Sequence, residues 1–287
     1  MIVKHKNDPK RRVVVTGLGV VSSIGIGVEE FWKNLIAGKS GISVIEAFDT
    51  SDYPVHKGGE VKNFKPEHFI DKRKLKYLGR ASQLAIAAAK LAIDDTGLSQ
   101  KDIAKAGVIL GTTMGESQIL EELDKAWISH GEDSLTQGLI ISYLSNNLSV
   151  NTAVELGATG FNAVMPTACS SGDYAIGYGF DLIRTGYSEL MFCGGSDAFS
   201  RVAFTGFNRL LAVAPEKCQP FDKNRKGIML GEGAGVLVLE SLEHAEKRGA
   251  KIYAEVLGYG LSCDARHMTQ PSKEGIIRCI EKAIKES

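Results

Sequence analysis

The chain has 287 residues, 44% of them apolar, with Lys plus Arg and Asp plus Glu balanced at 34 each. That length supplies one large or two ordinary domains and a sizeable core, and the balanced charge gives no footing to a general nucleic-acid or membrane-surface role. No apolar run approaches the ~18 residues of a membrane span, and the basic opening MIVKHKNDPKRR lacks the apolar core of a secretory leader.

Taken in chain order, apolar runs alternate with helical patterns. Residues 13–15 read as a strand that Gly17-Leu-Gly19 turns, and 28–37 as a helix. Residues 41–70 form a long, irregular, polar excursion. Arg80–Thr96 is alanine-rich and unbroken, so it reads as a buried helix closed by Gly97. Ser99 and Asp102 fit a capped short helix. A second strand at 108–110 ends in GTTMGE, and 116–154 look helical with polar loops. A third strand at 163–165 precedes Cys169 and a helix reaching Gly186. Strands follow at 190–193, ending in Gly194 and Gly195, and at 233–240. A short helix at 241–248 stops at Gly249, a strand spans 254–258, and a last helix begins near Lys273. This alternation predicts an α/β fold around a buried sheet. The strand-then-GxG stretches VVVTGLG and AEVLGYG echo each other, as the starts of two copies of one unit would.

Five cysteines (Cys169, Cys193, Cys218, Cys263, Cys279) are an odd number, widely spaced, with no CxxC pair. They read as reduced thiols of a cytoplasmic protein, with neither a disulfide framework nor a zinc site. Cys169 stands apart. In VMPTACSSGDYAIGYGFDLIRTG, a strand ends in small residues and a helix begins at once. That is the pattern of a nucleophile elbow, which lifts a side chain above the sheet. It also sets the sulfur at a helix N-terminus, where the dipole and unpaired N–H groups favour a thiolate and can face an oxyanion. The other reading of the same residues is a buried structural thiol.

Three further patterns carry weaker signals. Gly17-Leu-Gly19-Val-Val-Ser22 imitates a dinucleotide fingerprint. It lacks the third glycine and the acidic residue about 20 positions on, so tight strand–helix packing is the preferred use. Gly231-Glu-Gly-Ala-Gly235 lacks the Lys-Ser/Thr of a phosphate loop, and Glu232 reads as structural. A cysteine acyl-enzyme needs a base or donor nearby. Of His5, His56, His68, His130, His244 and His267, the first five are expected to face solvent, and His267 in CDARHMTQP is best placed by type.

TACSSG, CGGSDA, PFDKNRKGIMLGEGAGVLVLE and KIYAEVLGYGLSCDARHMTQP, with the opening RRVVVTGLGVVSSIGIGVEEFWKNLIAGKSGI, resemble the β-ketoacyl-acyl-carrier-protein synthases over essentially the whole chain. The likeness is to the elongating synthase II type and its relatives in polyketide assembly. It implies a thiolase-like fold of two β-α-β-α-β-α-β-β halves and a dimer. Residues 1–250 would form the first half, and 251–287 the first strand and helix of the second. It implies Cys169 as the acyl-thioester nucleophile, and Met114 and Phe207 as acyl-pocket residues. It implies acyl carrier protein as partner, with acyl groups carried on phosphopantetheine and no metal or bound cofactor. Decarboxylative condensation with malonyl carrier protein would then extend the chain by two carbons, in fatty acid or polyketide synthesis. The family's HGT and GHxxGA histidine motifs, and a lysine and Gly-Phe-Gly-Gly loop, would follow Ser287. On that reading the chain is truncated, exposes one face of its core and is inactive alone, needing a partner that supplies the missing half. The alternative is a non-catalytic synthase-like subunit or remnant, which usually lacks the nucleophile.

Overall fold

The computed structural model describes residues 11–267 and 269–287; His5 and the start of the basic opening lie outside the described residues. The chain opens on β1 (Val13–Ser22), a short β2 (Gly25–Ile26) and α1 (Val28–Ile36). An excursion with β3 (Ser43–Val44), β4 (Lys57–Gly58) and α2 (Lys72–Leu75) leads to α3 (Arg80–Thr96) and α4 (Gln100–Ile103). Then come β5 (Gly107–Gly111), α5 (Ser117–His130), α6 (Gln137–Ser142) and α7 (Asn147–Leu156). The next elements are β6 (Asn162–Met165), α8 (Ser171–Arg184), β7 (Leu190–Asp197) and α9 (Arg201–Arg209). The chain closes through β8 (Gly233–Ser241), α10 (Leu242–Lys247), β9 (Ala254–Val256) and α11 (Lys273–Glu286).

The main sheet runs β2-β1-β8-β7-β5-β6, with β9 also on β1. Strand β5 is parallel to β6 and β7, while β8 is antiparallel to β1 and β7. The principal succession β1-α3-β5-α7-β6-α8-β7-β8 is the expected thiolase-like β-α-β-α-β-α-β-β unit. Both faces are covered, so successive strand residues enter different cores. On β7, Leu190 and Phe192 pack with α3 and α7, whereas Met191 and Cys193 pack with α8. Truncating an enclosed Phe such as Phe192 costs about 3–5 kcal/mol.

Two expectations are corrected. Gly17-Leu-Gly19 does not turn the chain, because β1 passes straight through it. A side-chain carbon at Gly19 would collide with the Ala88 carbonyl oxygen, and one at Gly17 with Thr96. The glycines admit α3 directly onto the strand. A dinucleotide fingerprint needs them in a turn that feeds a helix N-terminus, so that reading falls. Likewise β7 does not stop at Gly194 and Gly195 but continues to Asp197.

The excursion is less polar than expected. Its Ile45 and Val55 are buried with Phe199 and Phe204. This cluster also explains α9, which the residue pattern did not announce: Phe204 is held by the edges of Phe48 and Tyr53, at 5.6 and 5.2 Å between ring centroids.

The internal echo has a physical basis. Gly19 closes on the Ala88 oxygen and the Ala92 nitrogen of α3. Gly260, beyond β9, closes on the Cys279 oxygen and the Ala283 nitrogen of α11. Each GxG meets helix atoms four residues apart.

Candidate active site around Cys169

The carboxyl ends of β1, β5, β6 and β7 lie at one end of the sheet, and the chain crosses from one face to the other between α7 and α8. Clefts in α/β sheets form at that end, where the crossovers diverge. Cys169 sits there, on a single turn of 3-10 helix (Ala168–Ser170) between β6 and α8. Ala168 holds φ at 52°, a left-handed conformation that costs a non-glycine residue about 1–3 kcal/mol. Cys169 thus stands on a sharp, strained strand-to-helix turn, the geometry of an elbow.

The sulfur is exposed and opens on a cleft of about 390 Å³, lined also by Ser22, Gly111, Thr113, Gly172 and Asp197. Gly111 brings the parts together: a side chain there would collide with the Ser171 carbonyl group, so only glycine lets α8 start directly on the end of β5. No side chain caps α8, whereas Ser200 and Ser241 cap α9 and α10. The first-turn N–H groups of α8 are left without a side-chain acceptor, at a place where the dipole favours negative charge. Two residues before Cys169, the Thr167 hydroxyl oxygen is buried without a hydrogen-bond partner, alone in this among the described residues.

Carboxylates hold the surroundings in place. Asp197, at the end of β7, accepts from the Thr112 hydroxyl at 2.8 Å and from the Thr113 and Met114 N–H groups, each at 2.9 Å. Glu116 is buried and accepts from the Ala81 and Ser82 N–H groups at the start of α3. Burial pushes its carboxyl above the usual range, outweighing these hydrogen bonds. Glu232 is structural, as expected. It accepts from Val61 N–H at 2.9 Å, Phe199 N–H at 3.1 Å and Arg80 at 2.7 Å, tying the excursion, β7 and α3 together.

Met114 is half-buried on the loop after β5, and Phe207 is half-buried on α9. Neither stands in the wall of the Cys169 cleft. Nor does any histidine or lysine, among the described residues. His56, His68, His130 and His267 are exposed. His244 departs from the expected solvent-facing position: its Nδ1 lies 2.5 Å from Glu240 Oε2, because α10 folds back over β8. His267 is fixed locally, its Nδ1 accepting from Thr269 N–H at 3.1 Å.

Asp197 and Thr113 were not singled out from the sequence. The signal was present in CGGSDA, where a carboxylate stands two residues after a glycine pair at a strand end. Among the described residues no His/Cys/Asp/Glu group could hold a metal ion, and no helix is long and apolar enough to cross a membrane. Beside the cleft, an apolar trough of about 460 Å³ opens along the sheet, with Leu18, Phe31, Trp32 and Ile176 in its wall.

A family model described as the β-ketoacyl synthase N-terminal domain matches residues 10–245. The 3-oxoacyl-[acyl-carrier-protein] synthase 2 of Synechocystis is 38% identical over 98% of this chain and 70% of its own length. A solved structure described as the ishigamide ketosynthase/chain length factor superposes with a TM-score of 0.93 at 46% identity, over 96% of this chain and 70% of its own. A type II polyketide ketosynthase, bound to a hexaketide and in complex with its acyl-carrier protein, gives 0.84 at 32% identity, over 96% and 70%.

Proposed function

The chain belongs to the β-ketoacyl synthase family, and from that premise we propose that Cys169 takes an acyl group from an acyl carrier protein as the first step of carbon–carbon bond formation. The observation that carries this is the exposed sulfur at an uncapped helix start, above the carboxyl ends of the strands. The thiolate attacks the carbonyl carbon of the carrier's phosphopantetheine thioester. The oxyanion collapses, and the carrier thiol leaves with a proton. Backbone N–H groups at the elbow suit that oxyanion, and one such donor is worth about 10²–10³ in rate. Malonyl carrier protein then loses carbon dioxide, its enolate carbon attacks the Cys169 thioester, and the cysteine sulfur departs. The product is a β-ketoacyl carrier two carbons longer.

The described residues support acyl transfer more fully than condensation. An enolate needs donors, and no histidine or lysine lines this cleft. We expect Cys169 to be acylated and condensation by this chain alone to be negligible. Acyl carrier protein as partner is supported by the polyketide ketosynthase complex, and fatty acid and polyketide synthesis each by one of the relatives above. A homodimer is supported by β6, a sheet edge with Val150 and Val154 exposed on the neighbouring α7. A reducing, cytoplasmic setting is supported by five free thiols. Residues 251–287 read as the start of a second similar unit, on the GxG–helix contact that β1 and β9 lead into.

Two measurements test the proposal. An epoxy-amide electrophile followed by peptide mapping is expected to label Cys169 ahead of the other four thiols, and equal labelling would remove the activated nucleophile. A radiolabelled malonyl condensation assay is expected to show almost no product, and robust turnover would overturn the division between the two steps. A non-catalytic subunit, the rival reading, would give no acyl-enzyme at Cys169.

A further inference from the structure

We infer that Asp197 is a positioning residue that sets which acyl chains the Cys169 cleft admits, an inference resting on the acyl-transfer reading above. Its two oxygens take three donors of the 112–115 loop, the Thr112 hydroxyl and the Thr113 and Met114 amides, while the Thr112 N–H goes to the Met165 carbonyl at 3.2 Å. Oδ1 accepts from Thr112 Oγ1 at 2.8 Å, Thr113 N at 2.9 Å and Met114 N at 2.9 Å, and Oδ2 accepts from Thr113 N at 3.0 Å. Thr112 Oγ1 accepts in turn from Gly115 N–H at 2.9 Å, and Gly115 holds φ at 55° with Ser145 directly behind it. The middle of the loop is thus held on one carboxylate, which takes both the Thr113 and the Met114 amide. What it presents to the cleft is side chain: Thr113 lines the wall that Cys169 lines, and Met114 follows it. Bonds from two amides and a hydroxyl to one carboxylate hold a backbone more firmly than a single turn bond does. Asp197 itself faces the cleft from the end of β7, a rigid central strand, so the loop is referenced to the sheet. The carboxylate touches no reacting atom; it acts through the loop.

The test uses the full chain and n-alkyl methanethiosulfonates from methyl to octyl. These form a disulfide with the Cys169 sulfur and expel methanesulfinate, and the rate at Cys169 is read by peptide mapping. Asp197→Asn keeps the shape but exchanges one acceptor oxygen for an NH₂ that opposes the loop amides. The expected result is a change of about tenfold in the octyl-to-methyl rate ratio. Thr112→Val, which removes the hydroxyl's bonds to Asp197 and from Gly115 N–H and leaves the carboxylate with its amides, is expected to move the ratio in the same direction by a smaller factor, and it serves as the readout if Asp197→Asn does not fold. An unchanged ratio in the folded variants overturns the inference. So does a methyl rate that falls as far as the octyl rate, since that is the mark of a general structural role. These reagents need neither carrier protein nor condensation, so failure of the proposed activity would appear only in the assays above.

Discussion

The two ends of the sheet use buried charge in opposite ways. At the end where β7 begins and β8 finishes, Glu240 is wholly buried. Both its oxygens are taken: Arg248 at 2.5 Å to one and His244 at 2.5 Å to the other, with the Thr16 hydroxyl as a further donor. Thr16 is the extra residue of a bulge in β1, which is what aims it at Glu240. Arg248 also donates to the Thr96 carbonyl at 2.9 Å, closing the end of α3. At the other end, Cys169 is exposed, Ala168 is strained, α8 is uncapped and a hydroxyl has no partner. One end is saturated and the other keeps free valences. Reactivity needs groups that folding has left unsatisfied, and the saturated end supplies the stability that lets them persist.

The same contrast separates two thiols on either side of α8. Cys193 lies fully buried under that helix, and burial pushes its thiol well above the usual range. It should stay unmodified under native conditions, so a reagent that labelled it as fast as Cys169 would erase the distinction.

Breaking the saturated end should cost most. Glu240→Ala leaves Arg248 without its buried partner, and urea unfolding is expected to show a loss of about 3–5 kcal/mol. Next is Gly19→Ala, which drives a methyl into the backbone of α3 and should cost about 1–3 kcal/mol by the same measurement. A loss under half a kcal/mol would mean the contact between β1 and α3 is loose. Acid should act on the same end. Burial alone would raise the Glu240 carboxyl, but hydrogen bonds from Arg248, Thr16 and His244 outweigh it and hold the group below its ordinary value. A carboxyl lowered in the folded state contributes stability above its unfolded value, and that contribution is lost as pH falls through the folded one. Stability should therefore fall below about pH 4.5, and less steeply in Glu240→Gln. The smallest effect, and of opposite sign, belongs to the open end. Nothing stands near a side-chain carbon at Gly172, so Gly172→Ala should stabilise α8 by up to about 1 kcal/mol.

Much of this architecture was legible in the residues because it is local. The helix Arg80–Thr96 and its Gly97 stop, the Ser99 cap, and the strand, elbow and helix around Cys169 follow from propensity, capping and periodicity over a few neighbours. What misled was glycine. Gly17, Gly19, Gly194 and Gly195 resemble turns when read along the chain. They lie in strands because helices and neighbouring strands press against them from elsewhere. Helix α9 was missed for the same reason, since its anchors are Phe48, Tyr53 and Phe199, distant in sequence.

By itself, then, the sequence determined the α/β class, the family and the cysteine elbow between β6 and α8, since each is written in contiguous residues. Only the tertiary structure decided what surrounds that cysteine. Asp197 reaches a loop 83 to 85 positions away, Glu232 joins segments up to 171 apart, and His244 turns from solvent to Glu240. Hydrogen bonds of that span depend on strand order and on which face each crossover takes, and no short stretch of residues carries either.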